Sequence, residues 1–233
     1  MKDNSPGRIY LADQRGVQQN SWHRIFYTFN SGAYQQPQRE AFGALYALND
    51  ETLAGGHQLT TEVQEDSYLW LLPVAGAVTY TNGQDHQTII GAGEMMFAFV
   101  QKGSHFTIGN PYEDALQLVN YMTILLKTGD APLIKTPRLF AFDVTKINTL
   151  EKWNINGLPG LTFAMGKFDG RADSTYRLQE PEKGAYAIVI QGAFEVNGRL
   201  LHERDGVALW DTPELEFEAL SNQAILFIIE AGV

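Results

Sequence analysis

The sequence predicts an all-β protein made of two jelly-roll β-barrel domains in tandem, with at most short helices. Three observations carry that reading. First, a hairpin pattern occurs twice, as Gly76-Ala77-Val78-Thr79-Tyr80-Thr81-Asn82-Gly83 and as Gly192-Ala193-Phe194-Glu195-Val196-Asn197-Gly198. Asn-Gly between alternating runs marks a tight turn, because these residues accept positive φ. Second, each copy follows an apolar run (68–74 or 186–190) and leads to a further Gly before another one: Gly93 before 95–100, Gly206 before 207–210. Third, helical periodicity is weak throughout. A hairpin repeated about half a chain apart then reads as two similar β domains.

In chain order, strand-like runs fall at residues 8–12, 41–48, 68–74, 77–81, 95–100 and 115–126, then at 185–190, 193–196, 206–210 and 224–229. Gly55-Gly56, Asn82-Gly83, Gly109-Asn110-Pro111 and Asn197-Gly198 separate them with turn chemistry. The stretch Asp211-Thr212-Pro213-Glu214-Leu215-Glu216-Phe217-Glu218 alternates acidic and apolar side chains, as a half-exposed strand does. The best helical candidate is residues 145–153, with Ile147 and Leu150 three apart. Pro132, Pro137 and Gly129-Asp130 make 127–138 the linker, which gives an N-terminal domain 1–135 and a C-terminal domain 136–233. The first run, 8–12, could pair with either domain.

Composition narrows the function. The chain has 233 residues, 44% hydrophobic and 12% aromatic, enough for real cores and against disorder. The absence of cysteine excludes disulfides, zinc–thiolate sites, iron–sulfur clusters and cysteine nucleophiles. No run approaches the ~18 apolar residues of a membrane span. The stretch Met1-Lys2-Asp3-Asn4-Ser5-Pro6 is polar, so a cytoplasmic protein is expected. The formal net charge is -10, with Lys and Arg scattered singly. Direct binding to nucleic acid or to an anionic membrane would work against that charge.

Three stretches resemble the pirin family, two-domain cupins that include bacterial quercetin dioxygenases. The first is Trp22-His23 with Thr28-Phe29, Tyr34, Pro37, Phe42-Gly43-Ala44-Leu45 and Asn49-Asp50. The second is Ala92-Gly93-Glu94 with Gly103 and Asn110-Pro111. The third is Gly192, Val196-Asn197-Gly198 and the run from Asp205 through Gly206, Val207, Ala208, Leu209 and Trp210 to Asp211. The resemblance implies a bicupin fold and a metal site, usually iron, in the N-terminal cupin. Its pattern is His-x-His on one strand and His-x-Glu on a later one. Residues i and i+2 of a strand share a face, so two such pairs can converge inside a barrel. Imidazoles with a carboxylate and an open position suit a ferrous ion.

Counted without gaps from Phe42-Gly43-Ala44-Leu45, Glu62-Val63-Gln64 occupies the His-x-His position. Counted back from Asn110-Pro111, Phe106-Thr107-Ile108 occupies the His-x-Glu position. Phe and Ile cannot ligate a metal, Gln64 is a weak neutral donor, and Glu62 alone is not a site. Tyr68 replaces the acidic residue expected shortly after His-x-His. His57 and His105 are the rescue candidates: His57 five residues before Glu62, His105 one residue out of phase with the expected ligand and so on the opposite strand face unless a bulge intervenes. His23 reads as a partly buried structural histidine among Trp22, Phe26 and Tyr27, His86 as a surface residue, and His202 as isolated in a metal-free C-terminal cupin.

These readings predict a pirin-like bicupin that has lost its iron site, with no cofactor. Its cup, lined by Glu62, Gln64, Tyr68, Phe106 and Ile108, would serve non-catalytic small-molecule binding or regulation. The alternative is a quercetinase-like dioxygenase, an oxidoreductase, using iron or another divalent metal in a divergent site. A metal-free enzyme with Glu62 as general base and a partner-binding scaffold are further readings. Either a monomer or a homodimer is compatible with the sequence.

Overall fold

The computed structural model describes residues 5–83, 87–129, 136–155, 161–180 and 184–230. The chain opens with β1 (Gly7–Tyr10) and a short 3-10 turn, Ala12–Gln14. It continues with β2 (Gly16–Gln19), β3 (His23–Tyr27), β4 (Leu45–Leu53), β5 (Gln58–Glu62), β6 (Ser67–Ala75), β7 (Ala77–Thr81), β8 (Thr88–Gly91), β9 (Glu94–Val100), β10 (His105–Gly109), β11 (Val119–Lys127) and β12 (Arg138–Ala141). Then follow β13 (Thr149–Asn154), β14 (Thr162–Phe168), β15 (Asp173–Arg177), β16 (Ala185–Gln191), β17 (Phe194–Val196), β18 (Arg199–Leu201), β19 (Gly206–Leu209), β20 (Glu214–Ala219) and β21 (Ala224–Glu230). The architecture is the all-β bicupin that the sequence predicts.

Two compact units form. One takes Gly16–Ala41 and Leu45–Phe142; the other takes Met1–Arg15, Phe42–Ala44 and Asp143–Val233. A boundary at residue 135 lies outside the described residues. The N-terminal unit runs on to Phe142 because β12 pairs with β9 and the Phe142 amide donates to the Gly93 carbonyl at 2.7 Å. The first strand joins the C-terminal unit: β1 pairs with β19, and Asp205 Oδ1 accepts from the Ala12 amide at 2.7 Å.

In the N-terminal unit a seven-stranded sheet, order β12-β9-β6-β11-β4-β3-β2, packs on a four-stranded sheet, order β5-β10-β7-β8. Leu53, Leu69, Leu71, Met96 and Val119 of the larger sheet meet Val78, Tyr80, Ile90, Phe106 and Ile108 of the smaller one. The pairings are antiparallel, so each strand's alternate residues fill this core. Strand β6 is apolar on both faces: Leu69 and Leu71 enter the core, while Tyr68 and Trp70 pack on Phe97 on the other side. The C-terminal unit repeats the plan with sheets β1-β19-β16-β21-β14-β13 and β15-β20-β17-β18.

Gly76 and Gly192 both have φ near +79°, a left-handed backbone that glycine adopts without steric cost. Val196 pairs with Arg199 around Asn197 and Gly198, both at positive φ, which is a two-residue hairpin. In the first copy Tyr80 pairs with Thr88, so the connection is longer than Asn82-Gly83 alone. The helix expected over 145–153 is absent. Thr149–Asn154 is instead strand β13 against β14, held by Trp153 stacking on Phe163 at 5.1 Å. The three-residue spacing of Ile147 and Leu150 carries no helical face. No helix among the described residues is long and apolar enough to cross a membrane.

Candidate functional site

A cavity of about 270 Å³ lies inside the N-terminal unit. Its position follows from strand register. On β5, Leu59 and Thr61 are opposite Ile108 and Phe106 of β10. All four side chains line the cavity. Their neighbours Thr60 and Thr107 join hydroxyls at 2.8 Å on the outer face. The facing wall comes from the larger sheet: His23, Ile25 and Tyr27 of β3, Asn49 and Glu51 of β4, and Thr123 and Leu125 of β11.

This register corrects part of the pocket read from sequence. Phe106 and Ile108 line the cavity; Glu62, Gln64 and Tyr68 do not. Glu62 is exposed at the end of β5, opposite His105 on the outer face. Gln64 is exposed, with its side-chain amide 3.5 Å from the Glu62 carbonyl. Tyr68 is buried on the far side of β6, against Phe97 and Phe99. Leu59 and Thr61 hold the inward face of β5, and Glu62, an odd step further along, takes the other face.

The rescue candidates fare no better by geometry. His105 is exposed on the outer face. His57 Nδ1 lies 2.9 Å from the Gly55 carbonyl, and its ring stacks on Trp22 at 5.1 Å. His202 is exposed in the C-terminal unit. His86 lies outside the described residues. The inward positions of β5 and β10 thus offer Leu59, Thr61, Phe106 and Ile108: one neutral hydroxyl, no imidazole and no carboxylate. That donor set does not fit the iron that the resemblance implies. Among the described residues no group of three or more His, Cys, Asp or Glu is placed to hold a metal ion.

The cavity's chemistry sits on the opposite wall. Glu51 is 3% exposed in the middle of β4. Thr123 Oγ1 donates to its Oε1 at 2.6 Å, Tyr121 OH donates to Oε2 at 3.2 Å, and His23 Nε2 lies 3.0 Å from the same Oε2. The cause is again register: Ile25, Glu51 and Tyr121 are aligned across β3, β4 and β11, so His23 and Thr123 fall diagonally beside the carboxylate. Three donors offset the cost of burying the charge. Burial first, and Glu51's charge second, hold the Tyr121 hydroxyl well above its ordinary range; the same two causes raise Tyr27, whose hydroxyl donates to Gln18 Oε1 at 3.1 Å.

Sequence reasoning treated His23 as structural and passed over Glu51. The available signal was period-two spacing: Asn49 and Glu51 continue the face of Leu45, Ala47 and Leu53, and Tyr121 and Thr123 sit at the same period in the apolar run of β11. The C-terminal unit buries a carboxylate too. Tyr176 OH donates to Glu230 Oε1 at 2.5 Å and the Gln179 amide to Oε2 at 3.0 Å.

Residues 160–229 match the family described as the quercetinase C-terminal cupin domain. Quercetin 2,3-dioxygenase of Escherichia coli K12 is 22% identical over 224 residues, covering 94% of this chain and 96% of its own. The crystal structure of the bacterial pirin YhhW from Escherichia coli, in complex with nickel(II), superposes with a TM-score of 0.83 at 17% identity, covering 98% of this chain and 100% of its own. Quercetin 2,3-dioxygenase from Acinetobacter baumannii has a TM-score of 0.68 at 13% identity, covering 97% of this chain and 79% of its own. By its C-terminal cupin, its end-to-end similarity to the E. coli relative and its two-unit fold, the chain is similar to the pirin family.

Proposed function

We propose that this protein is a pirin-like bicupin whose N-terminal cup binds a small molecule without the family's iron, in a non-catalytic or regulatory role in the cytoplasm. One observation carries the reading. The four inward positions on β5 and β10 are Leu59, Thr61, Phe106 and Ile108, with no imidazole or carboxylate among them. An apolar wall facing a few fixed polar groups is the usual make-up of a ligand pocket.

The name carried by the E. coli relative supports a second reading, a quercetin dioxygenase-like oxidoreductase. It requires a metal held elsewhere on the cup. Among the residues lining the cavity, Glu51 and His23 are the one carboxylate–imidazole pair, already bonded to each other.

The test is elemental analysis of protein purified without a metal-affinity tag, followed by titration with ferrous iron and nickel. The proposal expects no stoichiometric metal and no thermal stabilisation by either ion. Near-stoichiometric metal lost in Glu51→Gln would establish the second reading.

A further inference from the structure

The cup's polar wall selects a ligand by charge. We infer that Glu51 makes the cavity a site for neutral or cationic molecules with an apolar body and one hydrogen-bond-donating end, a hydroxyl or an ammonium, and that it rejects anions. The inference rests on the metal-free reading of the cup, because a bound cation would invert the preference.

A carboxylate offers about four lone-pair positions, and Thr123, Tyr121 and His23 fill three of them. The Oε1 atom, which receives only Thr123 among these bonds, keeps room for one more donor. The three partners hold the carboxylate rigid, so a ligand hydroxyl or ammonium meets a preformed acceptor. No Lys or Arg lines the cavity, and its titratable wall consists of Glu51, His23 and Tyr27. An anion entering there meets Glu51, and the cavity's one potential counter-ion, His23, is already engaged at Oε2. The apolar wall of Leu59, Phe106 and Ile108 takes the ligand's body.

Three probes with one body and different ends test this: 2-phenylethanol, 2-phenylethylamine and phenylacetate. Each is titrated into the protein with chelator present and followed by NMR shifts of the cavity residues. The alcohol and the amine bind at millimolar concentration, and phenylacetate binds at least about tenfold more weakly. Glu51→Gln removes the discrimination against phenylacetate. Thr61→Lys, which places a cation opposite Glu51 without touching its partners, reverses it and keeps the test open if Glu51→Gln does not fold. Phenylacetate binding as tightly as the alcohol with chelator present, or no probe binding at millimolar concentration, overturns the inference. Preferential binding of phenylacetate that chelator abolishes overturns instead the metal-free reading beneath it.

Discussion

Thr61 and Phe106 are register partners across β5 and β10, and both face the cavity of the N-terminal unit. Glu62 and His105, one residue away on each strand, are partners too, on the outer face. The pair with metal-binding chemistry is outside, and the pair inside is a hydroxyl and a phenyl ring. This one-residue phase is the structural reason for reading the cup as metal-free.

Glu51 is the keystone of the polar wall. Glu51→Ala strands Thr123, Tyr121 and His23 around a new void and costs about 3 kcal/mol or more of stability. Glu51→Gln keeps the volume and one acceptor and costs roughly half as much. Urea unfolding of both variants checks the order. Equal losses would show that packing, and not the hydrogen bonds, holds this wall.

Asn110 ties three segments together. Its side-chain amide donates to the carbonyls of Leu53 at 2.9 Å and Gln117 at 2.7 Å, and its Oδ1 accepts from the Tyr112 amide at 3.0 Å. At 6% exposure none of these is cheaply replaced by water. Asn110→Ala is expected to lose about 2–3 kcal/mol by denaturant titration, whereas Asn110→Asp, keeping Oδ1 but losing both donors, recovers little. Full stability in Asn110→Ala would contradict this account.

Tyr80 is 2% exposed, and its hydroxyl has no hydrogen-bond partner among the described residues. Burial pushes its pKa up to about 12 from the ordinary 10.0. The sign follows. Below pH 10 both states keep the proton and the contribution is whole. Between about 10 and about 12 the unfolded chain releases a proton that the folded one retains, so stability falls by up to ~1.4 kcal/mol per pH unit from this group. Tyr80→Phe removes that share of the alkaline loss and is neutral or stabilising at pH 7. Stability measured against pH for both proteins checks it; a parallel fall in the two would contradict the assignment.

The fold was legible in the sequence because period-two runs and turn glycines act locally. Gly76 and Gly192 share one positive φ, and each leads into a hairpin, as the repeat implied. Phe106 and Ile108 line the cavity, and Asn110-Pro111, two residues beyond Ile108, marks their place in the sequence. Glu62 and Gln64 lie off the cavity because β5 turns Leu59 and Thr61 inward and ends at Glu62, a strand phase and end that no residue marks in the sequence. The Glu51 cluster was invisible for a different reason: His23, Glu51, Tyr121 and Thr123 come from three strands and meet only through pairing. The extent of each unit was also non-local, since β1 pairs with β19, nearly the whole chain away.

Metal binding by the wild type beside the variant Leu59→His/Thr61→His/Phe106→His/Ile108→Glu tests the central claim most directly. The variant builds the His-x-His and His-x-Glu pattern on the four inward positions. The account predicts that calorimetric titration with nickel gives about one equivalent for the variant and none for the wild type. Stoichiometric uptake by the wild type, or uptake restored by changing Glu62 and Gln64 in place of Leu59 and Thr61, would contradict it.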